Sequence, residues 1–131
     1  MSLKKFQCQI EVRFADIDAY GHVNNAKYFT YLETARTKIF MENFVDFMNE
    51  GILFIVVRAE CDFKKPIRLN DPVQVSMWMS KVGKTSFEMD YLIETPDGKL
   101  YATAKTVMVA YDQAKSQPTA LPEKFIEMVS P

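Results

Sequence analysis

The sequence is poor in the residues that bind metal ions and form disulfide frameworks. It has two cysteines, Cys8 and Cys61, without C-x-x-C spacing, and a single histidine, His22. A disulfide framework or a structural zinc site needs several such residues at defined spacings. Only carboxylates could then hold a metal, and the sequence does not group them suitably. We therefore predict no metal and no cofactor, and we assign both cysteines to the core.

The sequence also lacks an excess of positive charge and a long apolar run. Its formal net charge is -1, whereas nonspecific nucleic-acid binding needs clustered positive charge. The longest apolar run, residues 52–57, is far shorter than the roughly 20 residues of a membrane span. Residues 1–6 carry charge but no apolar signal-peptide core. We predict a cytoplasmic protein with neither nucleic-acid nor membrane partners.

What is present favours one folded domain over residues 1–131, because 48% of the residues are hydrophobic and 25% are charged. Residues 6–14 alternate apolar and polar side chains, as a half-buried strand does. Residues 26–48 have apolar side chains at three- and four-residue spacing, which predicts a long helix. Its N-cap is Asn24 or Asn25. Its second half is apolar on more than one side, so a partner buries that half or a break separates it.

Four further strands follow, and their short connections favour antiparallel pairing. They cover residues 52–63, 73–80, 87–94 and 100–111, and a short C-terminal helix begins near Pro122. The apolar start of the first of these strands predicts burial on both faces. The predicted fold class is α+β, with a five-stranded antiparallel sheet, one long helix and a short C-terminal helix. One helix covers only one face of such a sheet, so we expect a homo-oligomer, a dimer or a tetramer.

The turn before the long helix contains the only histidine, two acidic residues, a glycine and two adjacent asparagines. Residues 14–28 read Phe-Ala-Asp-Ile-Asp-Ala-Tyr-Gly-His-Val-Asn-Asn-Ala-Lys-Tyr. This run, the order of the elements and the stretch 58–75 closely resemble the hotdog-fold acyl-CoA thioesterases of the 4-hydroxybenzoyl-CoA thioesterase type. The His-Val-Asn-Asn-x-x-Tyr portion also resembles acyl-ACP thioesterases of the same fold.

The resemblance implies a hotdog fold, in which the sheet wraps around the long helix and two subunits join their sheets. It also implies an active site at the subunit interface, near the helix N-terminus, with Asp18 as the catalytic carboxylate. Thioester chemistry fits this location, because the free amides at a helix N-terminus suit a developing oxyanion. A carboxylate can act there as general base or as nucleophile. The sequence leaves these two roles of Asp18 open.

The candidate site residues fall into three groups. The catalytic candidates are Asp18, His22 and Asn25, and the oxyanion and substrate-binding candidates are Gly21, Val23 and Asn24. One asparagine is expected to cap the helix, and Asp16 is expected only to shape the turn. Because CoA carries phosphates, basic side chains beside turns are candidates for binding it. These are Lys64, Lys65, Arg68 and Lys84.

The leading functional hypothesis is an acyl-CoA thioesterase, with an acyl-CoA substrate. One alternative is an acyl-ACP thioesterase, which would turn over the protein-bound acyl group faster. The other is a non-catalytic dimeric module that binds acyl thioesters and leaves them unchanged.

Overall fold

The computed structural model describes residues 4–130, and its longest element is the 25-residue helix α1 (Asn25–Asn49). Residues 1–3 and residue 131 lie outside the described residues, and so do the parts of the predictions for residues 1–6 and 1–131 that fall on them. Within residues 4–130 no helix has both the length and the apolar character that a membrane crossing requires.

Five strands form one antiparallel sheet in the order β1-β3-β4-β5-β2. They are β1 (Lys5–Ile10), β2 (Ile52–Phe63), β3 (Val73–Val82), β4 (Ser86–Glu94) and β5 (Leu100–Asp112). A two-residue strand that the sequence did not predict, β6 (Gln117–Pro118), also pairs with β5. Helix α1 contacts β1 and β2, the two edge strands of the five-stranded order, as well as β3. The sheet therefore curls around the helix, and the predicted α+β architecture is confirmed.

The core lies between α1 and the concave face of the sheet. Strand β4 illustrates why, because its inward side chains Phe87, Met89, Tyr91 and Ile93 are all buried while the residues between them are only partly buried. Helix α2 (Glu123–Val129) closes one end of this core. Its Phe125 ring lies 4.8 Å from the Phe87 ring, centroid to centroid.

The first strand is shorter than predicted. It ends at Ile10, and a 3-10 turn occupies Phe14–Asp16. Phe14, predicted to share the buried face of the strand, is 83% exposed. The reason is the Asp16 carboxylate, which accepts the Arg13 amide at 3.0 Å and bends the chain before the turn.

Burial of β2 on both faces, as predicted, is wrong for the single chain. Ile55, Val56 and Val57 are 39%, 39% and 59% exposed, because β2 is an edge strand that pairs only with β5. A bulge between Val56 and Arg58 also interrupts its register. Helix α1, in contrast, continues unbroken through its second half, with Phe40 and Phe47 buried and Met41 exposed.

Candidate active site at the start of the long helix

The turn before α1 is a closed loop of backbone hydrogen bonds. The Asp18 amide donates to the His22 carbonyl at 2.8 Å, and the Gly21 amide donates to the Asp18 carbonyl at 3.1 Å. Gly21 has φ +80, in the left-handed region that glycine adopts without steric cost. Ile17 and Val23 form an isolated antiparallel bridge across the base of the loop. The loop is thereby fixed relative to the first residue of the helix.

Asp16 holds this turn in place through hydrogen bonds to its carboxylate. Its carboxylate is 1% exposed, and it accepts hydrogen bonds from the Arg13 amide, the Arg13 guanidinium and the Tyr31 hydroxyl of α1. Burial raises the pKa of Asp16, but these hydrogen bonds and the nearby Arg13 charge outweigh burial and hold the pKa below its usual 3.8. Asp16 thus ties the turn to the helix, in agreement with the structural role expected for it.

Asp18 has a different environment. Its side chain is half-buried, and its Oδ1 accepts the Tyr20 amide at 2.9 Å and the His22 amide at 3.3 Å. Among the described residues no protein group donates to its other oxygen, Oδ2. The carboxylate is therefore held in orientation through one oxygen, and the other remains available for a substrate or a water molecule.

The backbone amides of the predicted oxyanion segment, residues 21–25, are mostly occupied. The Gly21 amide donates to Asp18 and the His22 amide to the Asp18 carboxylate. The Val23 amide donates to the Ile67 carbonyl at 2.8 Å and the Asn24 amide to the Asp16 carbonyl at 2.9 Å. Within the part of the chain that the structure describes, the Asn25 N–H is the amide of this segment that donates to no protein acceptor.

The two adjacent asparagines have different roles. Asn24 is the N-cap, since its side-chain oxygen accepts the Ala26 amide at 2.9 Å. Asn25 is the first residue of α1, a position whose amide has no acceptor inside the helix. An amide that already donates within the protein is not offered to a ligand. Of the predicted segment, Asn25 is therefore the position whose amide has no acceptor among the described residues.

A pocket of about 230 Å³ brings several predicted site residues together. It is lined by Asp18, His22, Val23, Asn25, Tyr28, Phe63, Lys64, Lys65 and Pro66. The acid, the histidine, the first helix residue and two of the four candidate lysine and arginine side chains thus share one cavity. Gly21 and Asn24 shape its loop and helix cap but do not line it.

Of the predicted basic residues, only Lys64 and Lys65 line this pocket. Their amides both donate to the Tyr101 carbonyl, at 2.8 and 3.0 Å, which holds the pair against the start of β5. Lys84 lies in the β3–β4 turn, beside Thr85, whose carbonyl accepts the Ala110 amide near the other end of β5. Tyr101 and Ala110 are roughly 30 Å apart along that strand. Within one chain, Lys84 is therefore remote from Asp18, and Arg68 is near the pocket without lining it.

Two aromatic residues, Tyr28 and Phe63, also form part of the pocket wall. Tyr28 and Phe63 meet edge to face, with ring centroids 4.9 Å apart. Burial raises the pKa of Tyr28 above its usual 10.0, so this wall is uncharged. The helical spacing identified Tyr28 as a core residue, but no sequence signal connected it to Phe63, which ends β2.

A family model described as the thioesterase-like superfamily matches residues 12–129. The chain belongs to the thioesterase-like superfamily. This membership confirms the resemblance inferred from the turn and the predicted enzyme class, a thioester hydrolase.

Individual proteins also resemble the chain over nearly its whole length. The long-chain acyl-CoA thioesterase FadM of Escherichia coli (strain K12) is 31% identical, with 94% of this chain and 98% of that protein covered. The 1,4-dihydroxy-2-naphthoyl-CoA hydrolase of Synechococcus elongatus is 27% identical, with 92% and 91% covered.

A solved structure supports the same fold. The thioesterase from Thermus thermophilus, complexed with coenzyme A and zinc, superposes with a TM-score of 0.80 at 35% identity. The superposition covers 94% of this chain and 90% of that one. Within residues 4–130 of this chain no group of three or more His, Cys, Asp and Glu side chains could hold a metal ion.

Proposed function

We propose that this protein is an acyl-CoA thioesterase that hydrolyses an acyl-CoA to the free acid and CoA. One observation carries the proposal: the Asp18 carboxylate and the first residue of α1, Asn25, with its free amide, line one pocket in a thioesterase-like chain. The names of the similar proteins support CoA as the carrier, because two name a CoA thioester and a third is a complex with coenzyme A. Those names give different acyl groups, so the proposal does not specify one.

Asp18 is the proposed reactive carboxylate, acting through Oδ2. As a general base it takes a proton from water while the water oxygen bonds to the thioester carbon. The C–S bond then breaks, and the proton passes to the departing CoA thiolate. As a nucleophile, Oδ2 itself bonds to the thioester carbon and displaces the thiolate, and water then hydrolyses the mixed anhydride. The hydrogen bonds from Tyr20 and His22 to Oδ1 suit both routes, because they orient the carboxylate.

The Asn25 amide is the proposed donor to the carbonyl oxygen that becomes negatively charged during the reaction. Two features support it, the absence of a protein acceptor among the described residues and its position as the first amide of a 25-residue helix. The partial positive charge at a helix N-terminus adds to the stabilisation of the oxyanion. Gly21, Val23 and Asn24, the other oxyanion candidates, contribute by shaping the loop and capping the helix.

His22, Lys64 and Lys65 complete the proposed site. His22 shares the pocket with Asp18, and its imidazole is proposed to hold the attacking water. The exposed side chains of Lys64 and Lys65 are proposed to bind phosphate groups of CoA at the pocket rim.

The proposed assembly is a homodimer that pairs β2 with β2 of a second copy. The edge position of β2 and the exposure of Ile55, Val56 and Val57 support it, because an apolar edge strand is normally covered. Assembly of two such dimers into a tetramer remains a sequence-based prediction.

The decisive experiment measures turnover of a panel of acyl-CoA thioesters by wild type and Asp18→Asn. We expect kcat to fall at least ~100-fold, as when other general bases are removed. Asp46→Asn, the same exchange on the exposed surface of α1, should keep wild-type kcat. Near-normal turnover of a folded Asp18→Asn protein would refute the assignment.

The lysine pair is tested in the same assay by Lys64→Ala combined with Lys65→Ala. We expect KM for acyl-CoA to rise about tenfold with little change in kcat, because phosphate contacts are equal in ground and transition states. The KM for the matching acyl-pantetheine, which lacks the phosphates, should not change. Lys124→Ala, at an exposed position of α2, is the matched control, and an equal rise in KM for both substrates would exclude phosphate binding.

A further inference from the structure

Arg36 of α1 is a buried cation without an anionic partner among the described residues of its own chain. It is 7% exposed, and its Nη1 donates to the Tyr91 hydroxyl at 3.2 Å. That hydroxyl is in turn 2.7 Å from Thr106 Oγ1. Within residues 4–130 no carboxylate lies within 4.0 Å of the Arg36 guanidinium. A guanidinium has five N–H donors, and among the described residues Tyr91 is the one protein side chain to which Arg36 donates.

The guanidinium borders a groove of about 270 Å³ between α1 and β2. Its lining includes Phe29, Leu32, Glu33, Arg36, Val56 and Ala59. Glu33 is exposed and forms no ion pair within the described chain. Residues three apart on a helix can pair, but the Arg36 head is held on the sheet side by Tyr91, away from Glu33 of its own chain. The groove thus presents a buried cation and a solvated carboxylate that do not meet.

The position of the groove along β2 indicates what brings them together. Strand β2 has 12 residues, Ile52–Phe63, so its midpoint lies between Val57 and Arg58. Antiparallel pairing of a strand with its own copy overlaps most when the two-fold axis passes through that midpoint. Val56 and Ala59, on either side of the midpoint, line the same groove as Glu33 and Arg36. An axis through the middle of β2 therefore also passes close to these two residues of α1.

We infer that Arg36 of each subunit pairs with the partner copy's carboxylate at position 33, Glu33, across the two-fold axis. Two-fold symmetry makes the contact reciprocal, so each dimer has two such pairs. The partner thereby supplies the anion that the Arg36 guanidinium does not contact within its own chain, and the charges of the groove are paired only in the dimer. The inference rests on the homodimer proposed above and adds the residues that specify it. A buried charge left without its partner is strongly unfavourable, so the pair makes the correct register of the two subunits the stable one.

Charge exchange between two chains tests the pair directly. Glu33→Lys and Arg36→Glu, each as a homodimer, put like charges together and should raise the dimer dissociation constant at least ~10-fold. When the two variants are mixed with different tags, opposite charges face each other across the axis only in the heterodimer. Native mass spectrometry should then find the heterodimer well above the random share of about half. A random share would overturn the inference. If residues 33 and 36 paired within one chain, each variant would keep its like charges after mixing, and the heterodimer would gain no stability.

A milder cycle covers the case in which a charge-reversed chain does not fold. Arg36→Met and Glu33→Gln, singly and together, are compared by the dimer dissociation constant. We expect Glu33→Gln to weaken the dimer at least ~5-fold when Arg36 is present and hardly at all beside Arg36→Met. Additive effects would overturn the pair. If Arg36→Met also changed the preference between an apolar acyl-CoA and one with a distal carboxylate, Arg36 would bind substrate instead of the partner subunit.

Wild type, measured in parallel, separates the possible failures. A monomeric wild type at ~100 μM would overturn the proposed dimer and the pair with it. A dimeric wild type without acyl-CoA turnover would overturn the proposed function and leave the test of the pair intact.

Discussion

Asp16 and Asp18 are two residues apart and have opposite environments. Asp16 is buried and accepts three hydrogen bonds, from Arg13 and Tyr31, that fix the turn. Asp18 is half-buried, is held through Oδ1 by two amides and keeps Oδ2 free of protein donors within the described residues. The fully satisfied carboxylate suits a structural role, and the partly satisfied one suits chemistry.

The lowered pKa of Asp16 predicts a specific acid sensitivity. Its folded-state pKa lies below the usual 3.8, so the ionised form stabilises the fold above the unfolded pKa of about 3.9. This contribution is lost as pH falls from about 4 through the lower, folded pKa. In urea unfolding, Asp16→Asn should lose about 2 kcal/mol at pH 7 and show a shallower decline in acid than wild type. Parallel declines for the two proteins would contradict the prediction, and Asp46→Asn, at an exposed position of α1, should behave like wild type.

Among the elements, the start of α1 links the fold to the chemistry. Asn24 caps the helix with its side chain and has φ -59 and ψ 135, an extended conformation that the residue before a proline also adopts. Asn25 is the first helical residue, the position at which a helix tolerates proline best. The Asn25 N–H can therefore be removed with little change to the helix.

Asn25→Pro isolates the proposed oxyanion donor. We expect kcat to fall roughly 100- to 1000-fold, as when other oxyanion donors are removed, while the thermal midpoint changes little. Asn25→Ala keeps the amide and removes the side chain, so it should stay within about tenfold of wild-type kcat. If Asn25→Ala lost as much activity as Asn25→Pro, the side chain and not the amide would be the essential group.

At the scale of the whole molecule, most of the large exposed hydrophobic side chains of the described residues lie on α1 and β2. Val57 is 59% exposed on the edge strand, and Phe29 and Met41 are 37% and 49% exposed on the helix. Edge strands that must not pair commonly carry lysine, whereas the middle of β2 carries the apolar Ile55, Val56 and Val57. This surface fits a permanent partner of the same sequence.

Val57→Lys should therefore convert the proposed dimer into a monomer. The lysine adds two charges to the centre of the symmetric β2–β2 contact, one from each subunit, and they repel each other. Analytical ultracentrifugation at ~10 μM should show a dimer for wild type and a folded monomer for the variant. Val82→Lys replaces a valine that is 43% exposed at the far end of β3 and should remain dimeric. A dimeric Val57→Lys protein would exclude β2 as the interface.

Much of the fold followed from local patterns. Alternation every two residues located β1, β3 and β4, and spacing of three and four located α1, because side-chain direction in each element repeats at these intervals. A continuous apolar run located the start of β2. The turn with Asp18, Gly21 and His22 was also recognisable, since turn residues act through their own backbone and near neighbours.

Tertiary structure decided what depends on residues distant in the sequence. Contacts such as that of the Val23 amide with the Ile67 carbonyl distinguish Asn25, the proposed oxyanion donor, from its neighbours. The sheet separated Lys64 and Lys65 from Lys84, because β5 holds the first two beside Asp18 and Lys84 at its other end. The helical pattern gave no sign that Tyr91 would bury the Arg36 charge. Hydrogen-bond partners and burial are set by packing, and for β2 and Arg36 we propose that packing extends to a second chain.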